Sequence, residues 1–271
     1  MTLDERALIA LLGRWVSAHP TANAPESCAA VSDDIAVRLR ALGFAVARHA
    51  MPGRAPLLVA TRAAASGAPT VGIYGHYDVE PAGDGWSGDP LTLRVTHDRI
   101  IGRGVADNLG PLALRLLAAR SVRRWPGVYW VIEGGEEIGS PSLAEYLDGR
   151  EGAPEVAVWL DETGYFVDRA TQRVLTLHQD ERSVAMREAL EAHARAAGVR
   201  VVCDERRLRR VSPPNVAAVE RLFGGAPYLA LGPNDADSRV HCADESIPRG
   251  TLALCAAQFV AVLETAAGGE A

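Results

Sequence analysis

The stretch Val131-Ile-Glu-Gly-Gly-Glu-Glu-Ile-Gly-Ser140 sets three carboxylates, Glu133, Glu136 and Glu137, on a glycine-rich turn directly after an apolar run. Other groups able to bind metal or move protons follow apolar runs in the same way: His76 and Asp78, then Asp161, then Asp235, Asp237 and His241, with Asp107 in a loop. So many carboxylates in one place repel each other unless positive charge sits among them. A divalent cation supplies it. Histidine with carboxylate, and no cysteine at equivalent places, suits zinc, with manganese or cobalt as alternatives. One cation would leave several of these carboxylates uncompensated, whereas two would use most of them. Taken singly, each residue has a plainer explanation as a helix cap or a solvated side chain; their coincidence is the argument.

The elements that must position these groups are legible from periodicity. Helical spacing over residues 4 to 18 and 27 to 42 opens the chain, the second run stopping at Gly43. Short strands are expected at Phe44–Arg48, Pro56–Ala60 and Thr70–Tyr74, the last apolar enough for a central place and delivering His76 at its end. A hairpin is expected around His97-Asp98, and a helix over 111 to 123 with Pro111 in its first turn. Further strands at Val128–Ile132, Val156–Leu160, Val174–Leu177, Val199–Cys203 and Tyr228–Leu231 alternate with helices near Ser140, over 181 to 197, after Pro214 and over about 250 to 267. The alternation predicts an α/β domain with a mostly parallel sheet. In such sheets ligands gather beyond the carboxyl ends of the strands, where the polar residues above fall.

The 271 residues suffice for one large domain, and 48% hydrophobic with 23% charged residues is ordinary globular usage. A net charge of -6 excludes a general attraction to nucleic acid or anionic membranes. The basic run Arg206-Arg-Leu-Arg-Arg210 reads first as a solvated face. Cys28, Cys203, Cys242 and Cys255 are widely spaced and read as reduced, buried thiols. The opening residues lack a basic segment followed by a long apolar core, and no apolar run reaches membrane-spanning length, so a cytoplasmic location is expected.

Three segments, "GHYDVEP" at 75 to 81, "GRGVADNLGP" at 102 to 111 and "EGGEEIGS" at 133 to 140, resemble the signatures of one family, and "HCADES" at 241 to 246 resembles its last metal-binding segment. It is the co-catalytic metallopeptidase family of carnosinase, aminoacylase, carboxypeptidase G and succinyl-diaminopimelate desuccinylase, and the dipeptidase branch is the nearest likeness. The resemblance implies a three-layer zinc-peptidase-like domain with a mostly parallel mixed sheet and helices on both faces. It implies two Zn2+ per chain, with His76 and Asp161 on one, Glu137 and His241 on the other, and Asp107 bridging. Asp78 would fix the His76 tautomer, and Glu136 would act as general base.

Relatives in this family usually carry a second, inserted domain that helps cover the site. Here a single catalytic domain over 1 to 271 is expected, with at most a short linker near residues 178 to 182 where the insert would stand. Leu109 replaces the lysine common in the family's corresponding segment. In place of the insert, His178 could lean over the site, Arg209 or Arg210 could bind a substrate carboxylate, or a partner protein could close the open face. The expected activity is hydrolysis of an amide bond in a small peptide or N-acyl amino acid. Two alternatives stand beside it: a biosynthetic deacylase or aminoacyl hydrolase acting on a specialised or carrier-bound intermediate, and a catalytically inactive, metal-stabilised binding protein.

Overall fold

The computed structural model describes residues 2–64, 67–149, 154–205 and 215–268. The two opening helical patterns form α1 (Glu5–Ala18) and α2 (Pro25–Ala41). Asp4 caps α1 by accepting the Ala7 N–H at 3.0 Å. There follow β1 (Ala45–His49), β2 (Leu57–Arg62), β3 (Thr70–His76), β4 (Arg94–Val95), β5 (Arg99–Ile101) and α3 (Leu109–Ala118). The middle of the chain forms β6 (Gly127–Glu133), α4 (Pro141–Asp148), β7 (Val158–Asp161), β8 (Tyr165–Asp168), β9 (Thr171–Leu177) and α5 (Glu181–Ala196). The last elements are β10 (Arg200–Glu205), α6 (Asn215–Phe223), β11 (Tyr228–Ala230), β12 (Asn234–Asp235), β13 (Ser246–Pro248) and α7 (Arg249–Ala266).

Ten strands form one mixed sheet in the order β1-β2-β6-β3-β7-β11-β9-β8-β12, with β10 paired to β9. Its centre, β6-β3-β7-β11, is parallel, and antiparallel pairs flank it on both sides. A small second sheet joins β13, β5 and β4. Side-chain alternation along the strands feeds two apolar clusters. The larger packs α1, α2, α3, α5 and α7 against one face of the sheet; the smaller packs α4 and α6 against the other. This is the expected three-layer α/β architecture.

The central strands are among the most buried parts of the molecule: Ile73, Val131, Ile132 and Leu160 are each 0% exposed. Burial of such a side chain is worth about 1.5–3 kcal/mol, so the strand ends are firmly held. One difference from the sequence reading involves short elements. The hairpin strand β8, and the bridges β12 and β13, carry too few alternating apolar residues to register as strands. Between β9 and α5 only His178, Gln179 and Asp180 intervene, and the turn is closed by a capping box: Ser183 N–H donates to Asp180 at 2.8 Å, and the Asp180 N–H donates to the Ser183 hydroxyl at 2.8 Å. Among the described residues, no helix is long and apolar enough to cross a membrane.

Candidate metal centre

Three parallel neighbours end in polar residues: β3 in His76, β6 in Glu133 and β7 in Asp161. His76 is nearly fully buried. Its Nε2 lies 2.9 Å from Asp107 Oδ1, and its Nδ1 lies 3.1 Å from the Asp78 carbonyl oxygen and 3.5 Å from the Asp78 carboxylate. Asp78, 0% exposed, accepts the Glu136 N–H at 3.1 Å on one oxygen and the Glu137 N–H at 3.0 Å on the other. One carboxylate therefore contacts the imidazole and also aims the turn that carries both glutamates. That turn needs its glycines: a Cβ on Gly134 would collide with the Tyr77 ring, and Gly139 has φ 96°.

Asp107 stands between the two imidazoles, with Oδ1 toward His76 and Oδ2 3.1 Å from His241 Nε2. The same His241 nitrogen is 3.2 Å from both oxygens of Glu137. His241 is about half exposed, with a side-chain accessibility of 47%. Its backbone is left-handed, φ 60°, as are those of Arg239 (φ 52°) and Asp244 (φ 57°). Residues without glycine's freedom adopt that region at a cost of about 1–3 kcal/mol each, so the segment must be held from outside.

Glu245 and Asp244 hold it. Glu245, 0% exposed, accepts the N–H groups of Gly104 (3.0 Å), Ala106 (2.8 Å) and Asp107 (3.0 Å), and the Arg103 guanidinium at 2.6 Å. Burial raises this carboxyl above its usual value, against the pull of those four donors. The Arg103 guanidinium also donates to the Ala82 carbonyl at 3.1 Å and lies 5.2 Å from the centre of the Trp86 ring. Asp244 accepts from Ser87 and from Arg94 (2.6 Å).

Burial pushes Glu136 up to about 7, with the charges of Asp107, Glu137 and Asp78 in the same direction and His76 opposing. Burial also takes Glu133 to about 8, although Tyr74 and Ser140 donate to it at 2.6 and 2.8 Å. The second Glu133 oxygen has no hydrogen-bond partner. Hydrogen bonds with Asp107 and Glu137 raise His241 to about 10. Burial opposes protonation of His76, but Asp107 and Asp78 raise it well above its usual value. Burial would raise Asp107, yet His241 and His76 hold it well below the usual carboxylate range. The cluster thus draws positive charge onto both imidazoles, as expected of groups arranged around cations.

The structure brings together His76, Asp78, Asp107, Glu136, Glu137 and His241. Asp161 stands at the same sheet edge. One of its oxygens accepts from the Tyr228 hydroxyl and from Thr163 (3.2 Å), and the other accepts the Glu162 N–H at 2.7 Å. His178 corrects an expectation. β9 runs antiparallel to β11, Leu177 lies opposite Tyr228 at the start of β11, and His178 continues away from the carboxyl ends of the parallel strands. It is exposed and does not lean over the cluster. Arg209 and Arg210, with the rest of their basic run, lie outside the described residues. Asp235 is held by the Arg99 guanidinium through two bonds of 2.8 and 2.9 Å, so that carboxylate is structurally committed. The cysteines are free as expected, but only Cys28 and Cys255 are buried; Cys242 is exposed.

Glu80 and Glu245 were missed. Glu245 is recognisable only from contacts some 140 residues away in sequence, whereas Glu80 had a local signal in the alternation His76-x-Asp78-x-Glu80. Among the described residues, two groups of three could hold a metal, the ligand atoms of each all within 4.8 Å of one another: His76, Asp107 and Glu137, and Glu80, Glu137 and His241. This donor set of imidazoles and carboxylates fits zinc-class cations.

Residues 72–265 match peptidase family M20/M25/M40, and the chain belongs to that family, whose members are metal-dependent. It is 38% identical over 99 residues to the mouse Beta-Ala-His dipeptidase, covering 34% of this chain and 20% of the relative. It is 34% identical over 134 residues to the succinyl-diaminopimelate desuccinylase of Rhizorhabdus wittichii, covering 46% of this chain and 35% of that protein. The matches thus span about a fifth to a third of those relatives' lengths. The M20 family metallo-carboxypeptidase Sso-CP2 of Sulfolobus solfataricus superposes with a TM-score of 0.76 at 13% identity, covering 99% of this chain and 100% of that one, a likeness of fold.

Proposed function

We propose that the chain hydrolyses an amide bond in a small peptide or N-acyl amino acid, using two divalent cations, zinc in the first instance. The observation that carries this reading is Asp107, whose two oxygens face two different imidazoles at 2.9 and 3.1 Å, the arrangement required of a bridging carboxylate. In this reading His76 and Asp161 hold one cation, Glu137 and His241 the other, and Asp107 both. Asp78 holds the His76 ring and the backbone of Glu136 and Glu137 in one register. The family and the names of the relatives, a dipeptidase and a desuccinylase, support this class of substrate.

When bound, the cations would polarise the scissile carbonyl and ease the ionisation of water. Glu136 supplies the proton transfer. Its carboxylate, beside Asp107 and Glu137 and assigned to neither cation, can take a proton from water and return it to the departing amine nitrogen. The buried Glu133 beneath the turn, braced by Tyr74 and Ser140, keeps that glutamate pair aimed at the cluster. The three-residue junction from β9 to α5 leaves no inserted domain at that point.

The test is a metal assay followed by a panel of dipeptides and N-acyl amino acids. The expected outcome is about two zinc ions per chain and cleavage of at least one substrate class. Glu136→Gln is expected to keep both metals and lose about a hundredfold to ten-thousandfold in kcat. Undiminished hydrolysis by that variant would remove Glu136 from the mechanism, and bound metal with no turnover on any substrate would favour the binding-protein reading.

A further inference from the structure

In His76-Tyr77-Asp78-Val79-Glu80, Tyr77 and Val79 are 0% and 1% exposed and belong to the larger apolar cluster. In extended chain, alternate residues face opposite ways, so Glu80 follows His76 and Asp78 on the side of the metal centre. Its backbone has little freedom. The Val79 N–H donates to the Pro20 carbonyl at 2.9 Å, and Pro81 restricts Glu80 to extended conformations. The half-buried carboxylate is therefore delivered to one place, where its oxygen, an oxygen of Glu137 and a nitrogen of His241 all lie within 4.8 Å of one another. Ligand atoms around one cation with bonds of about 2.0–2.2 Å stand roughly 3–4 Å apart, so only a small adjustment separates this trio from a coordination shell.

We infer that Glu80 is a ligand of the cation held by Glu137 and His241, in addition to the five ligands of the proposed function, on whose metal reading this rests. His241 is half exposed and sits on a loop in left-handed conformation, whereas the opposite ligands end buried strands. A third carboxylate, beside Glu137 and Asp107, from a pinned backbone compensates for that looseness. Zinc sites can expand to five-coordinate during reaction, so a further protein ligand leaves room for substrate.

The experiment uses the full chain, stripped with chelator and titrated with zinc alone, followed by calorimetry and native mass spectrometry for the wild type, Glu80→Gln and Glu80→Ala. Circular dichroism of each variant establishes that it is folded. The wild type is expected to take up about two ions; both variants should bind one of them at least about tenfold more weakly and the other unchanged. Unchanged affinities for both ions overturn the inference, including the case where only KM for a dipeptide with a free amino group rises, which would assign the carboxylate to substrate. A wild type that binds no second ion removes the underlying metal reading itself, a result distinct from any difference between variants.

Discussion

The two halves of the metal centre are built in opposite ways. His76 ends a central strand, is nearly buried, and has its imidazole and its neighbouring turn fixed by one fully buried carboxylate, Asp78. His241 lies on a loop, half exposed, in a segment with three non-glycine residues at positive φ, and depends on Glu245 and Asp244 to stay in place. One half inherits its order from the sheet. The other is assembled from contacts between segments far apart in sequence. On the proposed two-cation reading, the difference implies unequal affinity, with the strand-borne cation held more tightly and the loop-borne one exchanged first.

The largest test of this asymmetry is Glu245→Gln. The amide has a single acceptor oxygen for a site with four donors, turns an N–H toward one pair of them, and leaves the Arg103 charge buried without a counterpart. Removing one partner of a buried ion pair costs about 3–5 kcal/mol. Denaturant unfolding should register that loss, and the remaining folded protein should lose the loop-borne cation preferentially. Equal loss of both ions would break the comparison.

Asp78→Asn should be smaller and fall first on the His76 half, with a lesser weakening of the loop-borne ion because Asp78 also accepts the Glu137 N–H. Loss of such an orienting carboxylate typically weakens metal binding about tenfold to a hundredfold, measurable by zinc competition with a chromophoric chelator. If the loop-borne ion weakened instead, the roles of the halves would be exchanged.

A third measurement is pH. Hydrogen bonds with Asp107 and Glu137 push His241 up to about 10, so near neutrality a cation must displace its proton. Affinity of the loop-borne ion should rise about tenfold per pH unit for one displaced proton and fall correspondingly on acidification. Calorimetry in buffers of different protonation enthalpy would report the released protons. Affinity that is flat between about pH 6 and 9 would mean that His241 is not a ligand. The mildest test is graded chelation, which should give a one-ion species before the metal-free protein.

The strand-borne half is also the half whose order is legible in sequence. Apolar runs identify β3, β6 and β7, and the polar residue after each run falls at the carboxyl edge by the geometry of parallel sheets. His76, Glu133, Glu136, Glu137 and Asp161 are reached that way. His241 and Glu137 of the loop-borne half are named by the sequence too, but what orders their loop is not: Glu245 meets backbone N–H groups some 140 residues away, a contact without local periodicity. Asp235 illustrates the converse. It follows a strand and looks like a ligand, yet Arg99 from another sheet takes both its oxygens. The position of His178 is not legible for a simpler reason: composition does not reveal that β9 runs against its neighbour β11.

Trp86, whose indole N–H donates to Ala82 at 2.7 Å while its ring lies beside the Arg103 guanidinium, is a built-in optical reporter of the clamp. Trp15, Trp130 and Trp159 are at most 2% exposed and contribute a steady emission from the core. Loosening of the Arg103–Glu245 pair moves the guanidinium from the partly buried Trp86 ring, so the change in red-edge emission that Trp86→Phe abolishes, with partly buried Trp125 as constant background, follows the state of the loop-borne half without any label.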